Sequence, residues 1–170
     1  MGAMGDASSA VGEFFMPTSV VGRYIYFLVL GRSSERRAYR SQLVAQVPSS
    51  SSGRTALFDG VFARLLSRCF TNIPDDSVIA RFLDELLAPI SGSVDLDMDV
   101  ARQLVRRATS GGRVSVPLPG EDELLEIYGV ISHLIVRRFA VGDVDVARII
   151  RDAEDALAKH GVELVEHRES

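Results

Sequence analysis

The sequence of 170 residues contains no tryptophan, a single cysteine (Cys69), a single lysine and only three histidines. One thiol can form neither an internal disulfide nor a cysteine-rich zinc site, so we expect a reducing compartment, the cytoplasm. His133, His160 and His167 lack the i, i+4 spacing of a helical metal-binding pair. We therefore expect no metal and no cofactor.

The sequence also lacks a long apolar run. The segment nearest to a membrane span is Val20–Leu30, which has 11 residues and includes Arg23. A spanning helix needs about 20 predominantly apolar residues, and the segment has no signal-peptide features either. We expect it to belong to a buried core and predict no membrane span.

Catalytic signatures are missing as well. There is no nucleophile elbow, phosphate-binding glycine loop or dinucleotide fingerprint. The acidic string 95–99 (DLDMD) begins like a calcium loop, but Val100 stands where the turn glycine belongs and Arg106 where the bidentate glutamate belongs. Asp97 or Asp99 is better explained as a helix N-cap. The sequence favours a non-enzymatic protein without excluding an enzyme.

Hydrophobic residues make up 46% of the chain, an average value for globular proteins, which predicts a packed core. Apolar side chains recur at helical spacing through most of the chain after residue 54. We predict a mainly α fold, a compact bundle of about five to seven amphipathic helices, with short extended pieces near 20–30, 113–118 and 162–166. The clearest predicted helices are Thr55–Phe70, Asp75–Leu87, Asp97–Thr109, Glu121–Phe139 and Asp143–His160.

The region before residue 48 is ambiguous. Val20–Leu30 is compatible with a buried strand or a buried helix, and Ser33–Val47 favours a helix. Helix is our preferred interpretation of both segments. The apolar side of the second one is predicted at Ala38, Leu43, Val44 and Val47.

The domain organisation follows from composition. Residues 1–15 are small, polar and unpatterned, and we interpret them as an expression-derived or disordered leader. Residues 16–47 form a basic N-terminal segment, and the Ser-rich residues 48–54 are predicted to be a flexible linker. Residues 55–170 form the helical body, on which we expect the N-terminal segment to dock.

Charge is distributed unevenly along the chain. Residues 16–70 contain eight arginines and two acidic residues, whereas residues 71–170 contain 11 basic and 19 acidic residues. The two halves could neutralise each other within one fold, or they could form faces for different partners. The acidic face predicted near the C-terminus comprises Asp152, Glu154, Asp155, Glu163 and Glu166. It would attract a basic protein or a neighbouring copy of the chain. Arginine supplies 18 of the 19 basic residues, which is typical of a GC-rich genome.

Two candidate binding surfaces lie in the N-terminal segment. Arg32, Arg36, Arg37 and Arg40 could bind an anionic partner or nucleic acid, with Tyr39 as a stacking surface. The alternative is that these arginines pair with the acidic half of the same molecule. The apolar side chains predicted to dock a protein partner are Tyr24, Tyr26, Phe27 and Leu28.

From this pattern we expect a helical protein–protein interaction module, such as an adaptor, regulator or assembly factor, that self-associates or binds another protein. A nucleic-acid-binding regulator that uses the arginines is the first alternative. A small-molecule-binding or catalytic helical domain is the second, and it would require an internal pocket with convergent polar groups.

Overall fold

Seven α-helices make up most of the structure, a computed structural model in which residues 16–46, 52–111 and 117–167 can be described. A short 3-10 helix, Ala88–Ile90, follows the fourth α-helix. The α-helices are α1 (Val20–Val29), α2 (Ser33–Gln46), α3 (Ser52–Leu66), α4 (Asp76–Leu87), α5 (Met98–Ser110), α6 (Glu121–Arg138) and α7 (Asp143–Lys159). The predicted mainly α bundle is confirmed. None of these helices is long and apolar enough to cross a membrane, in the part of the chain that the structure describes.

The extended alternative for residues 20–30 is wrong, because this segment forms α1. Ser19 caps the helix by accepting a hydrogen bond from the Gly22 amide, and seven residues of α1 are buried. A helix satisfies its backbone internally, so it can be buried without a neighbouring strand. Residues 113–116 of the second predicted extended piece lie outside the described residues.

The third predicted extended piece, 162–166, is non-helical and forms one isolated antiparallel bridge between Ser19 and Glu166. The Val20 amide donates to the Val165 carbonyl at 2.9 Å, and the His167 amide donates to the Thr18 carbonyl at 2.8 Å. The chain after α7 is thereby fastened to the start of α1.

Helices α3 and α6 occupy the centre of the bundle. Helix α3 packs against α1, α5, α6 and α7, and α6 packs against α1, α3 and α4. The inward side of α3 consists of Leu57, Phe58, Val61, Phe62, Leu65 and Leu66. Helix α2 lies at the periphery, where it packs chiefly against α1.

The helix starts follow the expected capping chemistry in two cases. Asp75 caps α4, and Asp97 caps α5 by accepting hydrogen bonds from the Asp99 and Val100 amides. The acidic string that resembles a calcium loop therefore serves as a helix start. The cap residue of α7 is Gly142, and Asp143 is the first helical residue.

The predicted linker is shorter than its 48–54 range, because α3 begins at Ser52. Arg54 in its first turn is 7% exposed and lies 3.5 Å from the Glu121 carboxylate of α6. Serine and glycine predict a flexible linker only where the chain is not packed against the rest of the protein. Here the first turn of α3 is packed, and residues 52–54 are helical. Residues 48–51 of the linker, the leader 1–15 and Val47 lie outside the described residues.

Candidate docking surfaces

Helix α2 presents a cationic side to solvent. Arg36, Arg40 and Val44 follow one another at i, i+4 and i+8 and so lie in a row along the helix, with Arg37 beside them. All four side chains are exposed, Val44 by 74%. We call these four residues the arginine face.

A neighbouring side of α2, about a quarter turn around the helix from the arginine face, holds the helix on the body. Leu43 is the single buried residue of the helix, and the Tyr39 ring stacks on Phe27 of α1 with the centroids 5.3 Å apart. Arg23 of α1 donates a hydrogen bond to the Tyr39 hydroxyl at 3.4 Å. Tyr39 and Leu43 make this attachment, and the side chains of the arginine face stay exposed beside them.

Tyr39, predicted as a stacking surface for bases, is half-buried, and its ring contacts Phe27 and His167. The apolar side of α2 was predicted correctly at Leu43, which is buried, but wrongly at Ala38 and Val44, which are exposed. The inward pair is Tyr39 and Leu43. Their i, i+4 spacing is the signal that could have identified this side.

Arg32 is separate from the arginine face. It precedes α2, and its guanidinium donates a hydrogen bond to the Asp143 carboxylate at 2.5 Å. Both side chains are about half-exposed, at 44% and 53%, so the pair contributes at most about 1 kcal/mol to stability. Arg32 therefore ties the α1–α2 connection to the start of α7.

The other three arginines are not neutralised in this way. Within the described residues, no carboxylate forms an ion pair with Arg36, Arg37 or Arg40. Pairing with the acidic half of the same molecule is thus limited to Arg32 in this cluster. The positive charge of the arginine face remains directed at solvent.

The second predicted surface does not form. Tyr26 and Phe27 are buried, at 6% and 8% exposure, while Tyr24 and Leu28 are half-buried against the same core. Leu28 packs so closely on Gly129 of α6 that a Cβ added there would lie 2.8 Å from it. All four residues lie in or against the core because α1 is apolar on most of its circumference and packs against α2, α3, α6 and α7.

A buried carboxylate anchors the start of α1. Glu154 of α7 is 5% exposed and accepts four hydrogen bonds, from the amide and hydroxyl of both Thr18 and Ser19, at 2.5–3.1 Å. The sequence interpretation placed Glu154 on an exposed acidic face, which is wrong. Its position four residues after Ile150 and eight after Val146 on the apolar side of α7 was the signal for burial.

An acidic groove opens beside this anchor. It encloses about 1140 Å³ and is lined by the ends of α2 and α7, residues 18–19 and the chain 161–166. Asp155, Glu163 and Glu166 line it with exposed carboxylates, and Glu154 lies beneath them. The C-terminal ends of α2 and α7 add partial negative charge. No lysine or arginine is among its described lining residues.

Histidines and acidic side chains do not converge on a metal site. The described residues contain no group of three or more histidine, cysteine or acidic side chains that could hold a metal ion. The His133 ring nitrogen lies 2.7 Å from the Val29 carbonyl, and the His160 ring nitrogen 2.8 Å from the Ala156 carbonyl. Both histidines therefore bond to the backbone of nearby helices.

A polar network that sequence reasoning missed links α3, α5 and α6. The Tyr128 hydroxyl donates a hydrogen bond to the Asp59 carboxylate, which also pairs with Arg107 at 2.9 Å. Burial and the adjacent carboxylate raise the pKa of Tyr128 far above its usual range. This tyrosine stays protonated near neutral pH, so its hydroxyl acts as a hydrogen-bond donor that links α6 to α3.

Cys69 is expected to react slowly with thiol reagents. Burial raises the pKa of its thiol from 9.0 to about 11, and Arg138 offsets only part of that shift. Because the thiolate is the reactive form, the rate with Ellman's reagent should rise steadily between pH 8 and pH 10 without a plateau. A plateau near pH 8 would contradict the buried environment.

No protein-family model matches this chain, and no match is found among curated proteins or solved structures.

Proposed function

We propose that this protein is a protein–protein interaction module that docks an acidic partner protein through α2. The observation that carries the proposal is the arginine face, three exposed guanidinium groups and one exposed valine on a helix that is attached to the body through Tyr39 and Leu43. Arginine is enriched among the residues that contribute most to the free energy of binding at protein interfaces.

The chemistry of the arginine face favours carboxylates as its counterpart. A guanidinium group binds a carboxylate through two parallel hydrogen bonds, and Val44 adds apolar area next to the charges. Such a pairing also accelerates association by electrostatic steering. The module would act as an adaptor, regulator or assembly factor, with specificity determined by the pattern of acids on its partner.

Nucleic acid is the second candidate, since the same three arginines could neutralise phosphates. Two observations weigh against it. Tyr39 is half-buried and its ring already contacts Phe27 and His167, and the remainder of the surface includes the acidic groove. Phosphate contacts would be limited to three arginines.

The test is site-specific photo-crosslinking in extract from the source organism, with a benzophenone amino acid in place of Val44. Ile73 is the matched control position, because its exposure of 73% almost equals the 74% of Val44 but it lies before α4. We expect discrete protein adducts at position 44, at least about tenfold weaker in a variant carrying Arg36→Glu, Arg37→Glu and Arg40→Glu. The proposal fails if both positions give the same adducts, or if the adduct at position 44 is removed by nuclease.

A further inference from the structure

We infer that the acidic partner is a second copy of this chain, whose acidic groove receives the arginine face in a two-fold symmetric dimer. This inference rests on the proposed function, because it identifies the partner of the same helix. Its basis is the charge complementarity of two surfaces that do not neutralise each other within one molecule.

The two surfaces are matched in number and kind. The arginine face offers three guanidinium groups, and the acidic groove offers three exposed carboxylates, from Asp155, Glu163 and Glu166. Both are open to solvent, and within the described part of the chain no ion pair joins one surface to the other. A pairing across two molecules would neutralise both surfaces.

The acidic residues are spread along the groove, which suits a partner with several separated positive charges better than a single cation. Although the groove is rich in carboxylates, the described acids and histidines nowhere gather into a cluster that could coordinate a metal ion. Arginines at i, i+1 and i+4 along a helix present several charges over one side, which fits carboxylates distributed along a groove.

The positions of the surfaces favour two-fold symmetry. Gln46, the last residue of α2, lines the acidic groove, so the helix that carries the arginine face ends there. At 1.5 Å per residue, Arg40 and Arg36 lie about 9 and 15 Å back along the axis from that end. When two complementary surfaces lie side by side on one molecule, a two-fold axis between them lets each surface contact its counterpart on the second molecule. The dimer then contains the same contact twice.

The test uses sedimentation equilibrium at low salt to compare the molecular mass of the unmodified protein in solution with the masses of two variants. One variant reverses the arginine face with Arg36→Glu, Arg37→Glu and Arg40→Glu. The other reverses the acidic groove with Asp155→Lys, Glu163→Lys and Glu166→Lys. We expect the unmodified protein to form a dimer that weakens with salt and each variant alone to be monomeric, because like charges then oppose each other. An equimolar mixture of the two variants should regain the dimer, since both contacts are again between opposite charges.

A control separates local pairing from overall charge. Arg68→Glu, Arg81→Glu and Arg137→Glu remove three other exposed arginines and give the same net charge as reversal of the arginine face. This variant should dimerise like the unmodified protein, and its mixture with the groove variant should associate more weakly than the mixture of the two reversed surfaces. Recovery in the mixture also demonstrates that both variants are folded.

A monomer at all concentrations at low salt, or a mixture that stays monomeric, would overturn the dimer. Assemblies that grow beyond two copies would overturn the two-fold arrangement. The proposed function is judged separately by the adduct at position 44. An adduct with a different protein, together with a monomeric chain, overturns the dimer alone, whereas the absence of any specific adduct at position 44 overturns both.

Discussion

Replacing Glu154 with glutamine is expected to lower the free energy of unfolding by about 3 kcal/mol. The carboxylate accepts four hydrogen bonds from Thr18 and Ser19, two of them from backbone amides at the start of α1. Glutamine has only one acceptor oxygen, and its NH₂ group would face donors. Depending on its orientation, glutamine would leave either the buried Ser19 amide or the part-buried Thr18 amide without its acceptor.

The measurement is urea unfolding followed by circular dichroism, with Asp152→Asn as the matched control. Asp152 lies two residues before Glu154 on α7 but is exposed and does not line the acidic groove, so the same loss of a carboxylate charge should change stability by less than about 0.5 kcal/mol. A loss below about 1 kcal/mol for Glu154→Gln would mean that the anchor contributes little to the fold.

The second large effect is expected for Gly22→Ala. A Cβ at this position would overlap the Glu154 carboxylate and lie 2.9 Å from both Pro17 Cβ and Ser19 Oγ. Because the proline ring, the cap hydroxyl and the anchor cannot all move away, we expect a loss of about 2–3 kcal/mol. The gain in helix propensity from alanine, about 1 kcal/mol, is too small to offset it.

Gly60→Ala is the control for this substitution. Gly60 lies within α3, and a Cβ there would have ordinary contacts, 3.4 Å from Arg64 and 3.5 Å from Ala153. This variant should be more stable than the original protein by about 0.5–1 kcal/mol. If overlap with the Glu154 carboxylate is the cause, Gly22→Ala should lower the free energy of unfolding by less in a Glu154→Ala background, where the carboxylate is gone. Equal losses in both backgrounds would mean that the added Cβ overlaps other atoms instead.

The sequence predicted the amphipathic helices well because their apolar residues recur at helical spacing and their starts carry recognisable caps. Asp97 illustrates this, since both its capping role and the helix after it could be predicted. Val20–Leu30 was harder because a segment that is apolar on most sides carries no periodicity. Its helical state depends on Ser19, Glu154 and the helices that enclose it.

The candidate surfaces could be predicted only in part. The exposed cluster at Arg36, Arg37 and Arg40 could be identified from charge alone, because arginines are seldom buried unless paired and only Glu35 lies near these three in the sequence. The inward position of Tyr39 depends on its contact with Phe27, and the pairing of Arg32 depends on Asp143, more than 100 residues later. Such contacts between distant residues require the folded arrangement of α1, α2 and α7.

The central claim is that the arginine face binds a protein and not a nucleic acid. The most direct test is a fluorescence anisotropy titration of labelled duplex DNA and single-stranded RNA at low salt, where electrostatic binding is strongest. The account predicts only weak binding, equal for the unmodified protein and for the variant with Arg36→Ala, Arg37→Ala and Arg40→Ala. Tight binding that falls with a logarithmic salt slope of about −3 and disappears in that variant would contradict it.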